Sequence, residues 1–137
     1  MRLFKSSEYA IRCLVYMAGR KEELCSVKQL SERLDIPYKF LGRLMAQLGN
    51  EGVVESVRGK NGGYRIARPL DRIHMADVVD IVEGMENYDR CILGFDRCDD
   101  ENPCAMHGFW TEHKDGIQRM MREVSLAQMI ESGGTRL

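Results

Sequence analysis

"SVKQLSERLDIPYKFLGRLMAQLGNEGVVESVRGKNGGYRIA", residues 26–67, decides the fold. Ser26 is a good helix N-cap, Gln29 stands at the capping-box position, and Val27, Leu30 and Leu34 make one apolar stripe, so a short helix starts here. The break Asp35-Ile36-Pro37 ends it. Phe40, Leu41, Leu44, Met45 and Leu48 then define a third amphipathic helix that should stop between Gly49 and Gly52. Two short helices around a tight break form a helix-turn-helix pattern. The runs "VVESV" (53–57) and "YRIA" (64–67) are strand-like, and the glycine-rich "RGKNGG" between them suits a hairpin, a wing directly behind the two helices.

Upstream, Tyr9, Ala10, Cys13, Leu14 and Met17 recur at helical spacing behind Ser6, which predicts a first helix from Ser7 to Arg20 capped by Ser6. Downstream of Pro69, Met75, Val78, Val79 and Val82 share a face in "DRIHMADVVDIVEG", a helix closed by Gly84. From Glu86 to Pro103 the chain is rich in acids and turn formers, a long loop of the kind that usually carries function. From Cys104 onward, Trp110, His113, Ile117, Met120 and Val124 predict a helix of roughly 20 residues whose narrow seam invites a partner helix. The tail "ESGGTRL" has little to bury and should fray. The expected fold is mainly α with a small β-hairpin wing. A winged helix-turn-helix over 1–70 is joined to the long loop and to C-terminal dimerisation helices over 71–137, within one compact domain.

The net charge of −1 conceals an asymmetry: residues 1–70 hold 13 Lys/Arg against 7 Asp/Glu, whereas residues 71–137 hold 7 against 14. A basic front and an acidic back suit a chain that meets a polyanion with one end. The best-placed DNA contacts on the third helix are Tyr38, Lys39 and Arg43, with Arg43 open to either a guanine edge or the backbone. Arg58 and Lys60 at the wing tip suit a minor groove or its phosphates. Asn61 serves there as a contact or a turn residue, and Tyr64 as a plug under the wing. Lys5 and Lys28, near helix starts, can face phosphate or be ordinary surface charges. No apolar run approaches a membrane span and "MRLFKSSEYAIRCL" lacks a signal-peptide core, so a cytoplasmic protein is expected. No nucleophile paired with a base is evident, so no enzyme is expected.

Five cysteines, an odd number in a chain long enough to bury a core, argue against a disulfide framework. Three of them form Cys91-x6-Cys98-x5-Cys104, with His107 three residues on. Thiolates suit iron-sulfur clusters and zinc. A structural zinc site more often uses tight C-x2-C pairs, and wide spacing suits a cluster whose metals are spread over several ångströms. Zinc, a metal-free thiol switch and a small electron carrier are the alternatives, the last opposed by the basic front half. His107 reads either as a ligand or as a helix residue satisfied by a loop carbonyl. Cys13 reads as a core hydrophobe, Cys25 as inert beside a cap, His74 and His113 as packing or seam residues, and Met106, Met120, Met121 and Met129 as adaptable core.

"SVRGKNGGY" (56–64) and the three-cysteine loop together resemble the IscR/NsrR family of iron-sulfur-sensing bacterial transcription regulators. "MRLFKSSEYAIRCLVYMA" is similar to the family's first helix, "SVKQLSERLDIPYKFLGRLMAQLGNEGVV" to its helix-turn-helix and "CAMHGFW" to its last ligand segment, so the likeness spans nearly the whole chain. The resemblance implies a homodimer, joined through the long C-terminal helix, on a partly palindromic double-stranded DNA operator. It implies Cys91, Cys98 and Cys104 as ligands to a two-iron or four-iron cluster, with His107 as the fourth or, as in some relatives, Glu8 of the partner subunit. It also implies that cluster loss, nitrosylation or redox change alters DNA affinity. The first cysteine gap is one residue longer than in IscR, and Gly42 stands where a longer polar residue is expected, so operator specificity does not carry over.

Replacing Arg43 and Arg58 together is expected to weaken duplex binding and lower the slope of log affinity against log salt by about 1–2. Anisotropy titrations over a salt series measure this, and an unchanged affinity would remove this face from the DNA interface.

Overall fold

Ala10, Cys13, Leu14, Met17 and Ala18 all point inward from the first helix, α1 (Lys5–Ala18), and this continuous buried stripe is the post around which the remaining elements pack. The computed structural model describes residues 2–20, 23–134, 136 and 137. After α1 come α2 (Val27–Leu34), α3 (Tyr38–Asn50), the strands β1 (Val54–Val57) and β2 (Gly63–Ile66), then α4 (Met75–Val82), α5 (His107–Glu123) and α6 (Leu126–Glu131). Short 3₁₀ turns cover Leu70–Arg72 and Met85–Tyr88. The chain is mainly helical with one antiparallel hairpin, as expected.

The helix-turn-helix forms by local chemistry. Ser26 Oγ accepts from the Gln29 N–H at 3.1 Å while Gln29 Oε1 accepts from the Ser26 N–H at 2.9 Å, so the capping box is real. Asp35 takes a left-handed conformation (φ 52°) that turns the chain out of α2, and Pro37 stands at the cap of α3. Arg12 of α1 donates to the Leu34 carbonyl at 2.8 Å, satisfying an acceptor at the end of α2. Leu30, Leu34, Ile36, Leu41, Met45 and Leu48 close the core beneath.

In the hairpin Val54 pairs with Ile66 and Val57 with Gly63. Tyr64 also exchanges two backbone hydrogen bonds with Cys25, at 2.9 and 2.8 Å, so the wing is anchored to the segment that leads into α2. This requires glycine at 63: a Cβ there would lie 2.8 Å from the Cys25 carbonyl carbon and oxygen. Tyr64 is half-buried at this junction.

Four expectations shift. The helix α1 begins at Lys5, with Phe4 rather than Ser6 at the cap, and ends at Ala18. Phe4 is held from outside the helix, its N–H donating to the Tyr88 hydroxyl at 3.2 Å and its ring meeting Tyr88 edge-on. The helix α4 starts only at Met75, because His74 is drawn into a bridge with Ser125: the Met75 N–H donates to Val124 O at 3.0 Å and the Leu126 N–H to Ile73 O at 2.7 Å. At α5 the helix begins at His107 rather than Cys104, and its expected seam divides. Trp110 and Ile117 lie half-buried and Met121 is buried, whereas Phe109, His113 and Met120 are exposed. Finally, Val124 is extended and Ser125 with Gln128 caps a new helix, α6, whose Leu126, Met129 and Ile130 join the main core. Of the tail 131–137, Glu131 ends α6, residues 132–134 are exposed, and Thr135 lies outside the described residues.

Gly63→Ala is therefore expected to destabilise the protein by about 1–3 kcal/mol, through a clash with backbone that cannot move without breaking the Cys25–Tyr64 pairing. Denaturant melts measure this, and a neutral result would mean that the wing is not anchored at Cys25.

Candidate metal centre and nucleic-acid interface

The loop between the Met85–Tyr88 turn and α5 has little core of its own, and side chains of α5 tie down its first residues. Lys114, 8% exposed, places Nζ 2.6 Å from Asp89 Oδ1. Gln118 donates to the Tyr88 carbonyl at 3.1 Å and Trp110 Nε1–H to the Arg90 carbonyl at 3.2 Å. Tyr88 is buried and donates to the Glu83 carboxylate, and burial together with that carboxylate pushes its hydroxyl up to about 12. Sequence reasoning missed Tyr88, Asp89 and Lys114 because the contacts that tie them to α1 and α5 join residues 25 or more positions apart.

This anchorage brings Cys91, Cys98, Cys104 and His107 to the wall of one cleft of about 310 Å³. Cys91 Sγ lies 3.4 Å from Cys104 Sγ. Cys91 is buried, and a hydrogen bond from the Leu93 backbone holds its thiol below the ordinary value, with Cys104 adding to the effect. Desolvation raises the thiol of Cys98. His107 Nε2 is 2.8 Å from Asp100 Oδ1, while its Nδ1 is buried and has no hydrogen-bond partner among the described residues. With Nε2–H donating to Asp100, Nδ1 carries the free lone pair, the arrangement in which a carboxylate orients a ligating imidazole. Among the described residues no three His, Cys, Asp or Glu side chains are arranged to hold a single metal ion. The donor set, three soft sulfurs and an unpartnered nitrogen around a roomy cleft, fits a group with several metal atoms better than one ion.

Glu8 is otherwise engaged in its own subunit. Its carboxylate meets Arg2 at 3.1 Å, Lys5 at 3.2 Å and Arg12 at 3.8 Å, and it is held below the usual carboxylate range, chiefly by Lys5. The two remaining cysteines lie away from the cleft: Cys13 is fully buried and pushed up to about 12, and burial also raises Cys25.

Tyr38 (59% exposed), Lys39 and Arg43 stand out from α3, and Arg58, Lys60 and Asn61 from the wing tip, with Lys28 on the first turn of α2. Among the described residues Lys28, Lys39, Arg43, Arg58 and Lys60 make no ion pair, so their charge is available to an anion. Gly59, at φ 126°, forms the narrow turn that carries Arg58 and Lys60.

A family model, Rrf2, described as an iron-dependent transcriptional regulator, matches residues 3–132. The chain belongs to the Rrf2 family. It is similar to the transcriptional regulator IscR of Xenorhabdus nematophila, 29% identical over 133 residues that cover 96% of this chain and 80% of the relative. Among solved structures, CymR, described as the global cysteine regulator of B. subtilis, superposes with a TM-score of 0.81 at 20% identity, covering 96% of this chain and 98% of that one. IscR of T. potens superposes at 0.76 with 24% identity, covering 98% and 89%. Both superpositions establish the winged-helix fold. As an Rrf2 protein the chain is a DNA-binding transcription regulator and not an enzyme. No described helix is long and apolar enough to cross a membrane.

In reduced, metal-free protein at pH 8, iodoacetamide is expected to modify Cys98 and Cys104 while sparing Cys13 until the fold is melted. Peptide mass mapping reads this directly, and labelling of Cys13 at the rate of Cys98 would contradict the packing described.

Proposed function

We propose that this Rrf2 regulator binds a double-stranded operator as a homodimer whose affinity is set by an iron-sulfur cluster on Cys91, Cys98, Cys104 and His107. Glu8 of the partner subunit is the second candidate for the fourth position. One observation carries the ligand assignment: three thiols and an imidazole nitrogen that lacks a hydrogen-bond partner share one cleft. Against Glu8 stands its engagement by three cations of its own subunit. When bound, the cluster supplies a centre whose loss, nitrosylation or change of oxidation state alters the charge and shape of the loop.

The remaining work falls to the chain. Asp100 holds the His107 ring by its Nε2–H, leaving the Nδ1 lone pair uncommitted. Lys114 and Trp110 tie the start of the loop to α5, so rearrangement at the thiols is felt by that helix. The helix α4 packs against α1, α3 and α5, giving a continuous mechanical connection from the loop to the DNA-reading helix. The exposed face of α5, with Phe109 73% and Met120 45% exposed and no atom within 4 Å of the Cβ position at Gly116, suits close approach of a second copy. In such a dimer the spacing of the two α3 helices sets operator affinity. Tyr38, Lys39, Arg43, Arg58, Lys60 and Asn61 make up the DNA face, with Lys5 and Lys28 at its margins.

A metal-free thiol switch is the second reading, favoured by the 3.4 Å Cys91–Cys104 contact. Anaerobic purification with absorption spectroscopy and iron, sulfide and zinc analysis separates the two. The wild type should carry iron and sulfide, His107→Ala should alter the spectrum and lower occupancy by about 10-fold or more, and Glu8→Ala should leave both unchanged. A colourless protein holding zinc alone, or one with no metal and a Cys91–Cys104 disulfide after peroxide, would overturn the cluster assignment.

A further inference from the structure

The side of α3 that faces α1 carries an unusual alternation of cations and rings. Lys5 Nζ lies 5.1 Å from the centre of the Tyr9 ring, Tyr9 meets Phe40 edge-on with centroids 5.7 Å apart, and the Arg43 guanidinium lies 6.0 Å from the centre of Phe40. Arg12 lies 6.0 Å from the Tyr9 ring on the α1 side. Beside this array runs a groove of about 440 Å³ lined by Ser6, Phe40, Arg43, Leu44, Gln47 and Asn50, so four side chains with hydrogen-bond donors border an apolar floor. Along α3, Phe40, Arg43, Gln47 and Asn50 recur at spacings of three and four along the groove, which Ala46 also lines, whereas the exposed Tyr38 and Lys39 of the first turn do not line it.

The geometry points to a phosphate clamp: this groove takes one phosphodiester of the duplex backbone, held by Arg43, Lys5 and Ser6, with the Tyr9–Phe40 pair positioning the cations. Arg43 thus grips the backbone, and base reading falls to the first turn of α3, with Tyr38 and Lys39. The inference rests on the DNA-binding function of the family and adds the role of each residue. Arg43 is free of any ion pair among the described residues, so its charge meets the phosphate undiminished. Lys5 exchanges its Glu8 partner, at 3.2 Å, for a phosphate of the polyanionic duplex, with release of counterions. The ring beneath Arg43 narrows the range of guanidinium positions, which lowers the entropy lost on binding. No side chain caps the start of α1, so its first N–H groups add to the positive potential beside Ser6.

The test uses the full chain with two duplexes of equal length, one selected from a random pool with the wild type and one unrelated in sequence. A phosphate clamp predicts that Arg43→Ala weakens both duplexes by the same factor, about five-fold near 0.15 M salt, and lowers the salt slope by about 1. Phe40→Leu, which keeps every charge, should weaken both by a common two- to three-fold, and Phe40→Tyr should restore binding. Circular dichroism establishes that each variant is folded; Arg43 is exposed, so that arm does not depend on Phe40 variants being stable. Loss confined to the selected duplex in Arg43→Ala would make Arg43 a base reader and overturn the clamp. An unaltered affinity in folded Phe40→Leu would overturn the positioning role. Failure of the wild type to bind either duplex would instead remove the DNA reading itself.

Discussion

Burial of the α1 stripe is the constraint on which the rest of the molecule depends. Cys13 and Leu14 are fully buried, and α2, α3, α4, α6 and β2 all pack against α1. Burying a side chain such as Leu14 contributes about 1.5–3 kcal/mol, and no other helix collects as many partners. Orientation of the DNA-reading helix is consequently not a property of the helix-turn-helix alone. It is set on one side by α1, which also satisfies the end of α2 through Arg12, and on the other by α4.

The same helix connects the two candidate sites. Phe4, at its N-terminal cap, rests on Tyr88 at the head of the cysteine loop, while Tyr9 within the helix rests against Phe40 of α3. Aromatic contacts of α1 and its cap thus reach both the head of the cysteine loop and the base of the reading helix. The loop itself has almost no apolar interior, and exposes Ile92, Leu93 and Phe95. Its first residues are held by Lys114, Gln118 and Trp110, three residues of one helix.

Electrostatics divide along the same line. On the basic front, several cations of α2, α3 and the wing have no acidic partner among the described residues, whereas Lys114 in the acidic back is paired and nearly buried. A free surface cation retains its charge for a polyanion; a buried one compensates the cost of its desolvation by fixing a neighbour in place.

By itself the sequence determined the elements whose signals are local: the Ser26–Gln29 capping box, the break at Asp35–Pro37, the glycine hairpin, the stripe of α1 and the grouping of three cysteines with a histidine within 17 positions. Each is carried by residues within 17 positions of one another, and so is readable without the fold. The start of α6 was equally legible in Ser125 and Gln128, but was obscured by apolar residues that continue the period of α5 across Val124. Only the tertiary structure decided which half of the α5 seam faces its own subunit, that Tyr88 is buried under Phe4, that Glu8 is held by three cations, and that His107 Nδ1 lacks a partner while Nε2 meets Asp100. The burial of Tyr88 under Phe4 and the division of the α5 seam join segments far apart in sequence, whereas Glu8 and His107 meet partners three to seven residues away; in every case the energy depends on a desolvation and a side-chain distance that no local pattern encodes.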